Sequence, residues 1–309
     1  MTPARIGSYQ ILRRLGTGGM AEVFLGRAVG ASGFQKLVAI KRIREERRSD
    51  GDLERLLIAE AKQGARLRHR NLVSVHELGV HEGGYFVVME WVDGADLHSL
   101  GQAPTPLAVS IASEIAEALS YLHALRDERG RPLGLVHRDV SPSNVLLSRS
   151  GEVKLADFGI AKATKLAETT QANLRRGKYA YMSPEQVRGE ALTGASDQFA
   201  LGIMLHEMLL GRRPYDGASP VETMDRIREA RPPSLAGVDE DLARVLRRCL
   251  AAAPSDRFAS GNELVRSLIE ARHARSAVTT QDLAQWVGER IDGPAKTQER
   301  PRTRPLSES

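Results

Sequence analysis

The apolar residues change their period near Gly94, and this change constrains the fold more than any other feature of the chain. From Tyr9 to Trp91, short apolar and β-branched runs are separated by turn residues, a pattern typical of a small β-sheet. Beyond Gly94 the apolar residues recur at helical spacing. The sequence therefore predicts an α+β architecture in which a β-rich unit precedes a helical unit.

The β-rich unit is expected to hold five strands and one helix. The helix falls between the third and fourth strands, where apolar residues from Leu53 to Leu67 share one helical face. The strands are expected near residues 11–15, 23–27, 37–42, 73–80 and 85–91.

The helical unit begins with an amphipathic segment from Leu107 to Leu122. The segment at 198–210 is apolar almost all round, so we expect this helix in the middle of a domain rather than on its surface. Further helices are expected at 242–250 and 262–272, and the apolar face of 281–291 predicts one more.

Composition bounds the classes of protein that remain. The chain is 41% hydrophobic and 27% charged, values ordinary for a soluble globular protein, and no apolar run is long enough for a membrane span. We therefore expect a cytoplasmic protein without a membrane partner. The net charge of +5 does not indicate nucleic acid, because acidic and basic residues are interleaved. The single cysteine, Cys249, excludes an intrachain disulfide and is interpreted as a packed thiol.

Three glycines fall within four positions, from Gly16 to Gly19, between the first two expected strands. Without a Cβ, such a loop brings backbone N–H groups close to an anion such as phosphate. A tight hairpin also needs glycine, so this motif alone leaves both interpretations open. No Gly-Lys-Ser/Thr follows, which excludes a Walker A loop.

Lys41 ends an apolar strand next to that loop, in the run Val38-Ala39-Ile40-Lys41. A buried ammonium requires an anionic partner, and Glu60 on the following helix is the candidate carboxylate. The alternative for Glu60 is a solvated helix face, which is the usual place of a helical glutamate.

Two acidic motifs follow in the helical unit. His137-Arg138-Asp139 is followed by Asn144, and Asp157-Phe158-Gly159 comes after a short strand-like run. Two short elements joined by a tight turn would bring Asn144 and Asp157 together as oxygen ligands. Such hard ligands suit Mg²⁺, with Mn²⁺ as an alternative.

The order of these motifs, completed by Ser183-Pro184-Glu185, resembles the bacterial branch of the eukaryotic-type (Hanks-type) serine/threonine protein kinases. The resemblance covers residues 9–272. It implies a bilobal fold with a β-rich N-lobe at 9–93, a helical C-lobe at 94–272 and an ATP cleft between them. Residues 1–8 would be an N-terminal extension, 273–292 a C-terminal helix on or near the C-lobe, and 293–309 a disordered, basic, proline-rich tail. A partner-binding helix is the alternative for 281–291.

The resemblance also implies an activity, in which the γ-phosphoryl group of ATP passes to serine or threonine hydroxyls of a protein substrate. Asp139 would orient the hydroxyl and accept its proton, Lys41 would hold phosphates, Glu60 would hold Lys41, and Asn144 and Asp157 would bind Mg²⁺. The nucleotide contacts would be Leu15, Gly16, Gly18, Gly19, Val23, Ala39, Lys41, Met89 as gatekeeper, Glu90 and Val92 as hinge, Asp96 at the ribose, Asn144, Leu146 and Asp157. Asp197 would lie beneath the catalytic loop, and Arg257 would pair with Glu185.

Three positions depart from the family pattern. Ala21 stands where the family has the third glycine of the loop, a small change from which we expect little loss. Kinases of this family commonly carry lysine where this chain has Ser141, and threonine where it has Lys178. We hypothesise that Lys178 supplies the missing cation and Ser141 the hydroxyl. The alternative is a solvated Lys178 and reduced activity.

Arg138 directly precedes Asp139, which in the family goes with activation by phosphorylation of the segment between Asp157 and Glu185. The candidate acceptors are Thr164, Thr169 and Thr170. Autophosphorylation is expected, with self-association as its route if it occurs in trans. The competing function is a pseudokinase scaffold, which typically lacks one or more members of the catalytic set.

Overall fold

The β-branched and aromatic runs of the first unit form one antiparallel sheet. The computed structural model of the protein describes residues 4–157, 177–273 and 277–293. Within these ranges the strand order is β1-β2-β3-β4-β6-β5. The strands are β1 (Arg5–Ile6), β2 (Tyr9–Thr17), β3 (Ala21–Val29), β4 (Gln35–Ile43), β5 (Val75–His81) and β6 (Gly84–Glu90).

The five expected strands are present, with bounds that differ by a few residues. Backbone pairing extends β4 at its start to polar residues such as Gln35, which pairs with Val29. The proposed extension at residues 1–8 contributes β1, where Ile6 is 1% exposed and pairs with Tyr9. A strand of two residues is too short to show a sequence period.

Helix α1 (Gly51–Gly64) covers one face of this sheet. Asp50 caps its first turn by accepting hydrogen bonds from the backbone N–H groups of Asp52 and Leu53. Leu57 and Ala61 pack with Val87 and Ile43 of the strands. The helix therefore lies at a fixed angle to β4, which positions Glu60.

The second unit is largely helical. Its central helix runs from Gly194 to Leu210, and its side chains are buried on nearly every side, as the sequence predicts for a segment apolar all round. Cys249 is buried, and burial raises the pKa of its thiol to about 12. The elements are β7 (Gly94–Asp96), α2 (Leu97–Leu100), α3 (Thr105–Ala124), β8 (Val145–Ser148), β9 (Val153–Leu155), α4 (Pro184–Arg188), α5 (Gly194–Leu210), α6 (Pro220–Glu229), α7 (Glu240–Cys249) and α8 (Gly261–His273).

A last helix, α9 (Thr280–Asp292), packs on this unit rather than standing free. Leu283, Trp286 and Val287 enter the main hydrophobic core. Arg149 donates two hydrogen bonds to Asp292, at 2.6 and 2.7 Å. None of the helices in the described ranges is both long and apolar enough to span a bilayer.

An ion pair between Glu185 and Arg257 is buried in this unit, as the family resemblance implies. The Arg257 side chain is 0% exposed, and its guanidinium lies 2.7 and 3.0 Å from the two Glu185 oxygens. Ser196 also donates to Glu185 at 2.7 Å. Burial alone would raise the pKa of Glu185, but Arg257 outweighs it and lowers the pKa below its ordinary value.

We expect Arg257→Met to lower the free energy of unfolding at pH 7 by about 3–5 kcal/mol, because it leaves the Glu185 charge buried and unpaired. The loss should shrink on acidification. In the wild type the paired carboxylate contributes stability above its ordinary pKa of 4.5, and this contribution is lost as pH falls through the lower folded-state value. Urea denaturation between pH 7 and pH 3.5 measures both effects. Arg244→Met, at an exposed site, is the control, and equal losses in the two variants would contradict the prediction.

We expect Trp286→Ala to cost about 3–5 kcal/mol, because it empties a packed site between α9 and the rest of the C-lobe core. Chemical denaturation of the full chain measures the loss. Gln281→Ala on the exposed side of the same helix is the matched control. An unchanged midpoint for Trp286→Ala would mean that α9 does not belong to the cooperative core.

Candidate active site

Lys41 joins three elements at the cleft between the two units. Strand pairing places it opposite Val23 of β3 and Val87 of β6. Its Nζ lies 2.8 Å from Glu60 Oε1 on α1 and 2.8 Å from Asp157 Oδ1, two residues beyond β9. The sequence predicted the contact with Glu60, and the structure adds the contact with Asp157.

The protonation of this cluster follows from competition between burial and charge. Burial disfavours the Lys41 ammonium, but Asp157 and Glu60 outweigh it and raise the pKa of Lys41 above its ordinary value. Burial also opposes ionisation of Asp157, but Lys41 outweighs it and lowers the pKa of that carboxyl. Burial raises the pKa of Glu60 in spite of Lys41. Asp157 is therefore the carboxylate best kept ionised, as a metal ligand must be.

The predicted catalytic loop, residues 137–144, is held from beneath by Asp197, in the first turn of α5. One Asp197 oxygen accepts from the His137 backbone N–H and the other from that of Arg138, each at 2.8 Å. His123 Nε2 lies 2.8 Å from the same carboxylate. Arg138 has φ +67°, a left-handed conformation that costs energy for a residue with a Cβ. The two hydrogen bonds from Asp197 stabilise this turn.

Asn144 is fixed at the end of that loop. Its Nδ2 donates to the Asp139 backbone carbonyl oxygen at 2.8 Å. The Asn144 backbone carbonyl oxygen accepts from the Ala156 N–H at 2.8 Å. The β8–β9 pairing of Val145 with Leu155 brings the ends of the two strands together. The Asn144 amide and the Asp157 carboxylate consequently flank one end of this hairpin.

These two side chains fit a divalent cation that retains most of its waters. Among the described residues, no group of three or more His, Cys, Asp and Glu side chains could hold a metal ion. An amide oxygen and a carboxylate are hard donors, the type that Mg²⁺ takes together with phosphate oxygens. Asn144 and Asp157 therefore suit a metal that arrives with a phosphate ligand.

Strand pairing also gathers the predicted nucleotide contacts. Ala39 pairs with Met89 in the sheet, and Asp96 pairs with Leu146 in the β7–β8 ladder. A Cβ added to Gly16 would meet nothing within 4 Å, so packing within the protein does not explain this glycine. Open space above the loop is what a bound phosphate requires.

Two predicted contacts have additional partners. Asp96 caps α2 by accepting hydrogen bonds from the Ser99 backbone and hydroxyl. Glu90 lies 2.7 Å from Lys154 Nζ, an ion pair that joins the predicted hinge to β9. Sequence reasoning missed Lys154, although a lysine inside an apolar strand was the available signal.

Lys178 begins a short 3₁₀ turn, Lys178–Tyr181, after Gly177 with φ +67°. Its Nζ lies 2.9 Å from Asp139 Oδ2 and 2.9 Å from Asn144 Oδ1. The side chain is only 12% exposed, so the alternative of a solvated loop residue is wrong. Ser141 is 1% exposed, and its hydroxyl has no hydrogen-bond partner among the described residues.

The candidate acceptors Thr164, Thr169 and Thr170 lie outside the described residues, as do Phe158 and Gly159 of the second acidic motif.

Comparison with known proteins agrees with this geometry. The protein kinase domain model matches residues 9–269. The chain is 36% identical over 274 residues to the tyrosine-protein kinase MasK of Myxococcus xanthus (strain DK1622), covering 85% of this chain and 42% of MasK. It is 35% identical over 266 residues to the serine/threonine-protein kinase PrkC of Bacillus subtilis (strain 168), covering 84% and 39%. The chain thus spans less than half the length of these relatives.

A solved structure shows the same fold. The crystal structure of the Mycobacterium tuberculosis PknI kinase domain superposes with a TM-score of 0.62 at 32% identity, covering 86% of this chain and 96% of that one. Motif order, cleft geometry and these matches lead to one conclusion: the chain belongs to the protein kinase family and has its bilobal fold.

Proposed function

We propose that the chain is a protein-serine/threonine kinase that transfers the γ-phosphoryl group of ATP to hydroxyls of a protein substrate. The observation that carries the proposal is the meeting of two clusters in one cleft, Lys41 with Glu60 and Asp157, and Asp139 with Asn144. These residues can bind phosphate, hold a metal and accept a proton.

Each residue has a distinct role in the proposed reaction. Lys41 neutralises the α- and β-phosphates, and Glu60 keeps its ammonium in the cleft. Asn144 and Asp157 would hold Mg²⁺, or Mn²⁺ in its place, which supplies neutralisation of phosphate charge. Asp139 orients the acceptor hydroxyl and accepts its proton as the new P–O bond forms and the bond to ADP breaks.

The nucleotide would lie between the sheet and the β7–β8 ladder. Leu15, Val23, Ala39, Met89 and Leu146 supply apolar contacts for the base. The backbone from Glu90 to Val92 would hydrogen-bond adenine, Asp96 would contact the ribose, and Gly16, Gly18 and Gly19 would cover the phosphates. Because the reaction consumes ATP, we propose that this part of the protein acts in the cytoplasm.

A pseudokinase scaffold is the alternative, and the site disfavours it. Lys41 has both of its carboxylate partners, and Asn144 is fixed to the catalytic loop. The acceptor type is a separate question, since PrkC is named as a serine/threonine kinase and MasK as a tyrosine kinase. Phosphoamino-acid analysis of the product distinguishes these acceptors.

Asp139→Asn should lower transfer of labelled γ-phosphate to a generic protein by about 10²–10⁴-fold, because the proton acceptor is lost. Binding of a fluorescent ATP analogue should be unchanged. Asp241→Asn, an exposed site on α7, is the control. Label that does not depend on Asp139 would favour the scaffold, and phosphotyrosine as the sole product would overturn the acceptor assignment.

We further propose autophosphorylation at Thr164, Thr169 or Thr170. Support comes from Arg138, whose buried Nε has no hydrogen-bond partner among the described residues, as expected of a group that awaits an anion. Mass spectrometry after incubation with Mg²⁺ and ATP should find phosphate on this segment in the wild type and not in Asp139→Asn. A rate per molecule that rises with enzyme concentration would indicate self-association. An unmodified segment in an active enzyme would contradict the proposal.

A further inference from the structure

Lys178 lies between the proposed proton acceptor, Asp139, and the proposed metal ligand Asn144. Its ammonium bridges Asp139 Oδ2, the proposed proton acceptor, and Asn144 Oδ1, the proposed metal ligand, at 2.9 Å each. The side chains of Lys178 and Asp139 are 12% and 11% exposed. The contact is therefore largely shielded from water, where a charge has a stronger effect than at the surface.

The charges of the site give this ammonium a specific use. Three carboxylates, those of Glu60, Asp139 and Asp157, face the two ammonium groups of Lys41 and Lys178. Lys41 is already shared between two carboxylates, Glu60 of the N-lobe and Asp157 of the C-lobe. Lys178 brings a positive charge to the acceptor side of the cleft. There the negative charge of the γ-phosphoryl group would meet the negative Asp139. The Lys178 charge would oppose that repulsion together with the bound metal.

Asn144 Oδ1 cannot serve Lys178 and a metal ion equally well. An ammonium and a divalent cation repel each other. The amide oxygen is a hard ligand, so the divalent metal would bind it in preference to the ammonium. When metal and nucleotide enter, Nζ can keep its contact with Asp139 and turn its remaining N–H groups toward phosphate oxygens. A flexible four-carbon stem permits this small movement.

Ser141 is a second, independent observation that points to a ligand in this part of the cleft. It lies in the catalytic loop between Asp139 and Asn144, it is 1% exposed, and its hydroxyl makes no hydrogen bond within the described residues. A buried hydroxyl without a partner costs free energy, so such groups are expected to meet a ligand or a substrate.

We infer that Lys178 is the cation that contacts the transferred γ-phosphoryl group, and that it reaches the site from the segment preceding α4 rather than from the catalytic loop. Ser141 takes the loop position where the family commonly has lysine and supplies a hydroxyl instead. This inference rests on the proposed kinase function. One consequence is that phosphoryl transfer requires the Lys178–Tyr181 turn to be seated on the loop.

The first test separates turnover from binding. Lys178→Met keeps the length of the side chain and removes its charge, and should lower kcat about 10²–10³-fold, the effect of deleting one preorganised donor to a transition-state oxygen. Affinity for Mg²⁺ and ADP, measured by calorimetry, should not weaken, because Asn144 Oδ1 loses a competitor. Lys178→Arg should retain more turnover than Lys178→Met. Lys36→Met, at an exposed site, is the matched control.

The second test moves the cation back to the loop. Lys178→Thr should lose as much turnover as Lys178→Met. The double variant Ser141→Lys, Lys178→Thr should have a kcat at least tenfold above that of Lys178→Thr. Thermal unfolding of each variant identifies any that fail to fold. If Lys178→Met does not fold, the comparison of Lys178→Arg with the double variant decides, and loss of turnover in both would count against the inference.

Two results would overturn the inference while leaving the proposed function intact. One is wild-type kcat in Lys178→Met. The other is a loss of metal–nucleotide affinity as large as the loss of kcat, which would mean that Lys178 only holds Asn144 in position. Absence of Asp139-dependent transfer in the wild type would instead remove the proposed function itself.

Discussion

The ammonium of Lys41 is the interaction on which the architecture of the cleft depends. Burying a charge is costly unless it is paired, so Lys41 requires both Glu60 and Asp157 within hydrogen-bond distance. These three residues belong to β4, to α1 and to the segment after β9, elements from both lobes. This cluster of charges therefore joins α1 to the sheet and holds the N-lobe against the proposed metal ligand. The same contact keeps Asp157 ionised.

The C-lobe side is organised by a second buried charge. Asp197 satisfies two backbone N–H groups of a loop whose Arg138 is in a left-handed conformation. Hydrogen bonds to Asp197 offset the cost of this strained conformation. Helix α5, which is packed on nearly all sides, holds Asp197 in place in its first turn. The Glu185–Arg257 pair secures the start of α4 nearby, where Gln186 donates to the Arg138 carbonyl. The loop that carries Asp139 is thus held by packed helices of the C-lobe, as preorganisation of a site requires.

Much of this could be predicted from local patterns. The strands, the largely apolar α5 and the contact of Lys41 with Glu60 follow from periodicity and from the need to pair a buried charge. What the sequence could not give depends on residues brought together by the fold. The Asp157 contact with Lys41 spans 116 positions, the Lys154–Glu90 pair joins two strands of different sheets, and β1 is too short to carry a period. Motif order predicted which residues would lie together in the cleft, and tertiary packing determined their partners.

The two ammonium groups of the cleft differ in what holds them. Lys41 stands on a central strand, so its position is fixed once the sheet and α1 have formed. Lys178 stands on a single 3₁₀ turn that follows a glycine in the left-handed region, and its attachment to the catalytic loop is the bridge to Asp139 and Asn144 itself. A cation carried by the loop would be present whenever the C-lobe is folded. A cation carried by this turn is present only when the turn is seated on the loop, so in the proposed enzyme the position of the Lys178–Tyr181 turn would govern the charge of the cleft.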